Sequence, residues 1–102
     1  MASEKLLRHI VLLKFKDEAN QEQVGEMGKA FLALLTQIEA IHDLEWGRAM
    51  NQPSPYTHCL LVTCLTEADL KAYDGHPAHQ AIPAKYGHLV EAVLVFDYWT
   101  KA

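Results

Sequence analysis

The chain has little that would staple it covalently or carry it into a membrane. Only two of its 102 residues are cysteines, no Asn-x-Ser/Thr triplet occurs, and no apolar run approaches the roughly 20 residues of a membrane span. Cys59 and Cys64 fall in one predicted strand, where a rise of about 3.3 Å per residue sets them about 16 Å apart, far beyond disulfide reach. They read as reduced, small, buried hydrophobes. The segment Met1 to Arg8 lacks the apolar core of a secretory leader, so a cytoplasmic location and no membrane partner are expected. A basic block is also missing, and a net charge of −4 argues against a nucleic-acid surface. With no repeat, linker or low-complexity tract, residues 1–102 are expected to form one α+β domain.

What is present is a clear alternation of periods. His9–Phe15 is a β-prone apolar run, after which the pattern changes over Gln21–Glu39. There Val24, Met27, Phe31, Leu34, Leu35 and Ile38 recur at helical steps, with Asn20 as N-cap and Gln23 as its reciprocal partner. Leu44–Met50 and Thr57–Leu65 read as strands around the proline-containing loop Asn51–Tyr56. Thr66 caps a short helix ending at Gly75, and Pro77 opens another, which Pro83 should interrupt or bend. Gly87 ends it, and Leu89–Trp99 is the last strand. The order β-α-β-β-α-(α)-β is the ferredoxin-like arrangement, an antiparallel sheet with its helices on one face.

Such a sheet normally shows water a polar second face. Here both faces are apolar. His9, Val11, Leu13 and Phe15 alternate with Ile10 and Leu12; His58, Leu60, Val62 and Cys64 alternate with Cys59, Leu61 and Leu65; Val93 and Val95 alternate with Leu94, Phe96 and Tyr98. Two helices cannot cover both sides, so a second copy is expected over one of them, making a homodimer. Ile10, Leu12, Leu61, Leu94 and Phe96 are the candidates for that interface, although parity alone does not say which face meets the helices.

The segment Tyr73-Asp-Gly-His-Pro-Ala-His79 carries the most distinctive chemistry. His76 and His79 have a spacing that suits two metal ligands, but two ligands make an incomplete zinc site, so no metal is expected. His79 falls in the first turn of the helix opened by Pro77, where the helix dipole disfavours an imidazolium and so favours the neutral form a general base requires. Tyr73 is placed to hydrogen-bond a developing enolate oxygen. The competing reading is that Tyr73 and His79 only fix the turn between the helices. His42 and His88 lie in turns and read as solvated. His9 and His58 begin their strands, which sets them at opposite ends of an antiparallel pair and argues against a shared metal.

Taken together, His9–Lys16, Trp46-Gly47, Tyr56-Thr-His58, Tyr73…His76-Pro-Ala-His79 and Val95-Phe-Asp-Tyr98 resemble the stress-responsive A/B-barrel family across essentially the whole chain. The resemblance implies a dimeric α+β barrel. It is similar in particular to that family's polyketide cyclases, in which a histidine and a tyrosine serve an intramolecular aldol condensation without metal or cofactor. By motif match these are His79 and Tyr73, and the pocket histidines are His9 and His58. Val11 and Leu13, on the side of His9, and Met27 and Phe31, on the helix, are the expected walls for a small apolar or carbonyl-containing ligand. Those cyclases carry bulky aromatic residues on the first helix where this chain has Met27, Gly28 and Phe31, which implies a different substrate. Three functions therefore compete: a cofactor-independent cyclase or lyase acting on an enolisable, polyketide-like carbonyl compound; a non-catalytic stress-responsive oligomer or ligand carrier; and, by shared architecture alone, a cofactor-free monooxygenase.

Overall fold

The opening apolar run becomes strand β1 (Leu7–Phe15), two residues longer at its start than the sequence pattern marks. The computed structural model describes residues 5–51 and 53–101. In it β1 is followed by α1 (Gln21–Gln37), β2 (Asp43–Arg48), β3 (His58–Cys64), α2 (Glu67–Gly75), α3 (Pro77–Tyr86), a 3-10 turn (Gly87–Leu89) and β4 (Val90–Trp99). Residues 1–4, part of the segment examined for a leader, and Gln52 of the proline loop lie outside the described residues. No helix among those described is long and apolar enough to cross a membrane.

The four strands are antiparallel throughout and lie in the order β2-β3-β1-β4, which is the ferredoxin-like sheet. Local chemistry sets the helix starts. The Asn20 side chain accepts the backbone N–H groups of Glu22 (2.8 Å) and Gln23 (3.2 Å), and Thr66 Oγ1 accepts that of Asp69 (3.0 Å). The expected return bond from the Gln23 side chain is not found among the described residues. Pro83 does not interrupt α3, which runs unbroken from Pro77 to Tyr86. Its ring nitrogen forfeits a single bond, the one to the His79 carbonyl four residues back, while buried Ile82 and Tyr86 hold the helix down.

Register decides which side of the sheet meets the helices. His9 and Leu44 both pair with Val62, while Val11 and Trp46 both pair with Leu60, so these residues share one side. On that side Leu13, Leu44, Leu60 and Val62 are buried with Val24, Met27, Phe31 and Leu34 of α1. Leu35 departs from the expectation. It is 40% exposed, because the buried stripe of α1 runs through Leu34 to Ile38 and Leu35 falls one step past its margin. Gly28 is required by a close approach: a Cβ there would lie 2.5 Å from Trp46 Nε1, so its absence makes the notch in which the indole sits. Phe31 stacks on the same indole with centroids 6.1 Å apart.

Alternate residues form the other side, where Ile10 pairs with Leu61 and Phe96, and Leu12 with Cys59 and Leu94. No helix covers it, and Leu94, Phe96 and Tyr98 are 48%, 61% and 41% exposed. Both cysteines are free, as their positions in one strand require. Burial, with Asp69 adding to it, pushes the Cys64 thiol up to about 11, and burial followed by Glu45 raises that of Cys59. Neither is a thiolate nucleophile at neutral pH.

Candidate active site

A cavity of about 490 Å³ opens between the helix side of the sheet and α1 and α3. The sheet supplies its floor through His9, Val11 and Leu13 on β1 and Leu60 on β3, while Met27 and Phe31 of α1 form a wall. Tyr73, at the end of α2, and His79, in the first turn of α3, enter from the helix corner. Size and lining suit a small, mostly apolar molecule with a few polar groups. Seven of the eight side chains singled out from the sequence thus converge on one space.

The eighth does not. His58 lies four residue pairs along the β1–β3 ladder from His9, so it faces the helix side but at the far end of the sheet. There it packs edge-on against Phe15 (centroids 5.0 Å) and beside Trp46 (5.4 Å), with Nδ1 2.8 Å from Thr57 Oγ1. Burial, with a smaller contribution from the Arg48 charge, lowers its pKa. His58 lies outside this cavity and borders two other hollows instead.

Tyr73 and His79 are the most closely associated pair in the site, with ring centroids 4.4 Å apart at an interplanar angle of 45°. The His79 Nδ1 lies 3.0 Å from the Asp74 carbonyl oxygen. A carbonyl only accepts, so Nδ1 carries the proton, and in the neutral ring Nε2 holds the lone pair. Tyr73 is 1% exposed, and burial, reinforced by Asp74 and Cys64, drives its pKa well above the ordinary phenol value. It is therefore a neutral O–H donor and no base. Among the described residues nothing hydrogen-bonds its hydroxyl, yet no fully enclosed side-chain polar atom lacks a partner, so the small exposed area of Tyr73 includes the hydroxyl.

His9 brings in a residue that the sequence reading missed. Its Nδ1 is 2.6 Å from Asp97 Oδ1, a charge-assisted bond across directly paired positions of β1 and β4, and its ring meets Tyr73 edge-on at 6.2 Å. The β1–β4 register is what identifies Asp97. Also unforeseen are Pro83 and the segment Gly87–Val93, whose residues Gly87, Val90, Glu91, Ala92 and Val93 close the cavity on the β4 side. Among the described residues no group of three or more His, Cys, Asp or Glu side chains could hold a metal ion.

An antiparallel β2-β3-β1-β4 sheet with helices on one side and a histidine–tyrosine cavity beneath them defines a ferredoxin-like α+β domain. The chain belongs to the stress-responsive A/B barrel domain family, whose pattern matches residues 7–100. It is 35% identical over 95 residues to olivetolic acid cyclase of Cannabis sativa, covering 90% of this chain and 94% of the cyclase. Among solved structures, a dimeric protein of unknown function and ferredoxin-like fold from Bacteroides fragilis is 28% identical, with a TM-score of 0.81 and coverage of 91% and 94%. Hydroxynitrile lyase from Passiflora edulis is similar in fold at 18% identity, with a TM-score of 0.85 and coverage of 96% and 95%.

Proposed function

We propose that the cavity binds a small, polyketide-like carbonyl compound and that Tyr73 and His79 act on it, without a cofactor, as in a cyclase or lyase. The observation that carries this reading is the Tyr73–His79 pair, two rings 4.4 Å apart in one mostly apolar cavity. In the aldol form of the reaction, the His79 Nε2 lone pair takes a proton from a carbon flanked by carbonyls. The Tyr73 hydroxyl donates to the enolate oxygen as charge develops. The enolate carbon bonds to a carbonyl carbon further along the same molecule, and the alkoxide so formed recovers the proton from the His79 imidazolium. The sequence likeness to olivetolic acid cyclase supports this class of chemistry, while the walls at Met27 and Phe31 shape a cavity of this chain's own.

A linear β-polyketone thioester tests the proposal. The wild-type chain is expected to cyclise it, His79→Ala to lose on the order of 10²- to 10⁴-fold in rate, and Tyr73→Phe on the order of 10²-fold. Full activity in His79→Ala would sink the assignment. A second reading, a non-catalytic ligand carrier, has one observation in its favour: the bond from His79 to the Asp74 carbonyl ties α2 to α3. On that reading His79→Ala lowers the thermal midpoint substantially and there is no turnover to lose. On the catalytic reading turnover is lost, whatever the midpoint does.

We also propose that a second copy covers the outer side of the sheet through Ile10, Leu12, Leu61, Leu94 and Phe96. The uncovered apolar residues there support it, as does the dimeric state of the Bacteroides fragilis relative.

A further inference from the structure

A single residue closes the helix that carries Tyr73 and opens the helix that carries His79. The His76 backbone N–H donates to the Tyr73 carbonyl (3.2 Å) at the end of α2, and its own carbonyl accepts from the Gln80 N–H (3.0 Å) in the first turn of α3. Between these two bonds the backbone of His76 is extended (φ −70°, ψ 133°), the conformation that a following proline imposes. Pro77 brings no N–H of its own, so the first donor of α3 is that of Ala78. It is taken at 3.0 Å by the His76 imidazole Nδ1. Helix caps usually use a hydroxyl, carboxylate or amide oxygen for this task, and an imidazole performs it only as the neutral tautomer with its proton on Nε2. Three residues after His76, His79 Nδ1 reaches back to the Asp74 carbonyl. Four hydrogen bonds therefore hold the corner, and His76 makes three of them.

We propose that His76 is a positioning residue: its side-chain cap sets the α2–α3 corner, and with it the separation of Tyr73 from His79 and the tautomer His79 adopts. The bond from His79 to Asp74 spans this corner, so it keeps its length only while α3 starts where His76 makes it start. If the cap is lost, the first turn of α3 frays, the Asp74 carbonyl no longer holds Nδ1–H, and the His79 proton is free to move to Nε2, which removes the lone pair from the cavity side. His76 acts at one remove, through the helix start, and needs no contact with a bound molecule.

The test compares wild type with His76→Ala and His76→Asn by nitrogen-15 NMR of histidine-labelled protein at neutral pH. Asparagine is among the best N-caps and should do the work of Nδ1, whereas alanine has no acceptor. The expected result is a His79 signal of the Nδ1–H tautomer in wild type and His76→Asn, and a shift toward the Nε2–H form in His76→Ala. An unchanged His79 pattern in His76→Ala, or a His76→Asn variant that behaves like alanine, overturns the assignment. Any effect on rate rests on the function proposed above: kcat for the polyketone should fall roughly fivefold in His76→Ala, the size of a lost cap, and return in His76→Asn with KM unchanged. The two ideas fail separately. Absence of turnover in wild type removes the catalytic reading and leaves the NMR comparison to decide on His76. Normal turnover with an unchanged His79 pattern removes only the role of His76.

Discussion

The two sides of the sheet are written by alternate residues of the same strands, with the same kinds of side chain, and they come out opposite. On the helix side Leu13, Leu60 and Val62 are almost fully buried. On the other side Leu94 and Phe96 are 48% and 61% exposed. Residue type does not separate the two sets; what differs is cover. On β1 and β3 the helix side completes its core within one chain, while on β4 its Val93 and Val95 stay about half exposed, and a cavity remains over His9, Tyr73 and His79. The outer side has nothing within the chain to complete it, so its burial depends on a neighbour and on concentration.

That difference can be broken from either side. The largest effect is expected for Leu60→Ala, which leaves a void beside the cavity floor and should cost about 2–5 kcal/mol by urea unfolding, at any protein concentration. Phe96→Asp should act differently. Sedimentation is expected to find wild type as a dimer at micromolar concentration and the variant as a monomer, with a thermal midpoint that no longer rises with concentration; a monomeric wild type would end the proposal of a covered outer side. The smallest effect concerns His58. Its pKa is lowered mainly by burial, so the folded chain holds that proton less well than the unfolded chain. The stability this represents is present above the ordinary histidine value near 6.5 and is lost as pH falls through the depressed folded value. His58→Phe, which keeps an aromatic ring against Phe15 and Trp46, should flatten this part of the acid limb in a thermal midpoint series from pH 7.5 to about 5.

Local chemistry was readable in advance at several helix starts, though not for the Gln23 return bond, the unbroken passage of α3 through Pro83 or the imidazole cap at His76. Asn20 and Thr66 cap because the acceptor lies two or three residues from the donor it serves, and Pro77 opens α3 for an equally local reason. Strand parity divided the sheet residues into their two sets. It left open which set meets the helices, because that depends on how β2, β3 and β4 are aligned with β1. The same gap hid Asp97, which is 88 positions from His9 and becomes its partner only through strand register. His58 shows the reverse error: it lies on the expected side, but its place along the ladder puts it beyond the cavity. Leu35 fits the helical period on paper and fails because the stripe it would extend has nothing to pack against at that margin.

β4 lies at the rim of the sheet, ten residues long, with every position from Val93 to Trp99 exposed in the isolated chain. Its outward backbone N–H and C=O groups have no strand beside them among the described residues, and Val93-Leu-Val-Phe96 is a short, uncharged, β-prone run. Such an edge is a template on which another chain can stack strand by strand. Asp97 interrupts the run on one flank and Glu91, paired with Lys14 at 2.8 Å, guards the other, in the manner of gatekeeper charges beside an unavoidable apolar strand. While such an edge stands uncovered it invites strand pairing with other chains, so refolding yield is expected to fall as protein concentration rises.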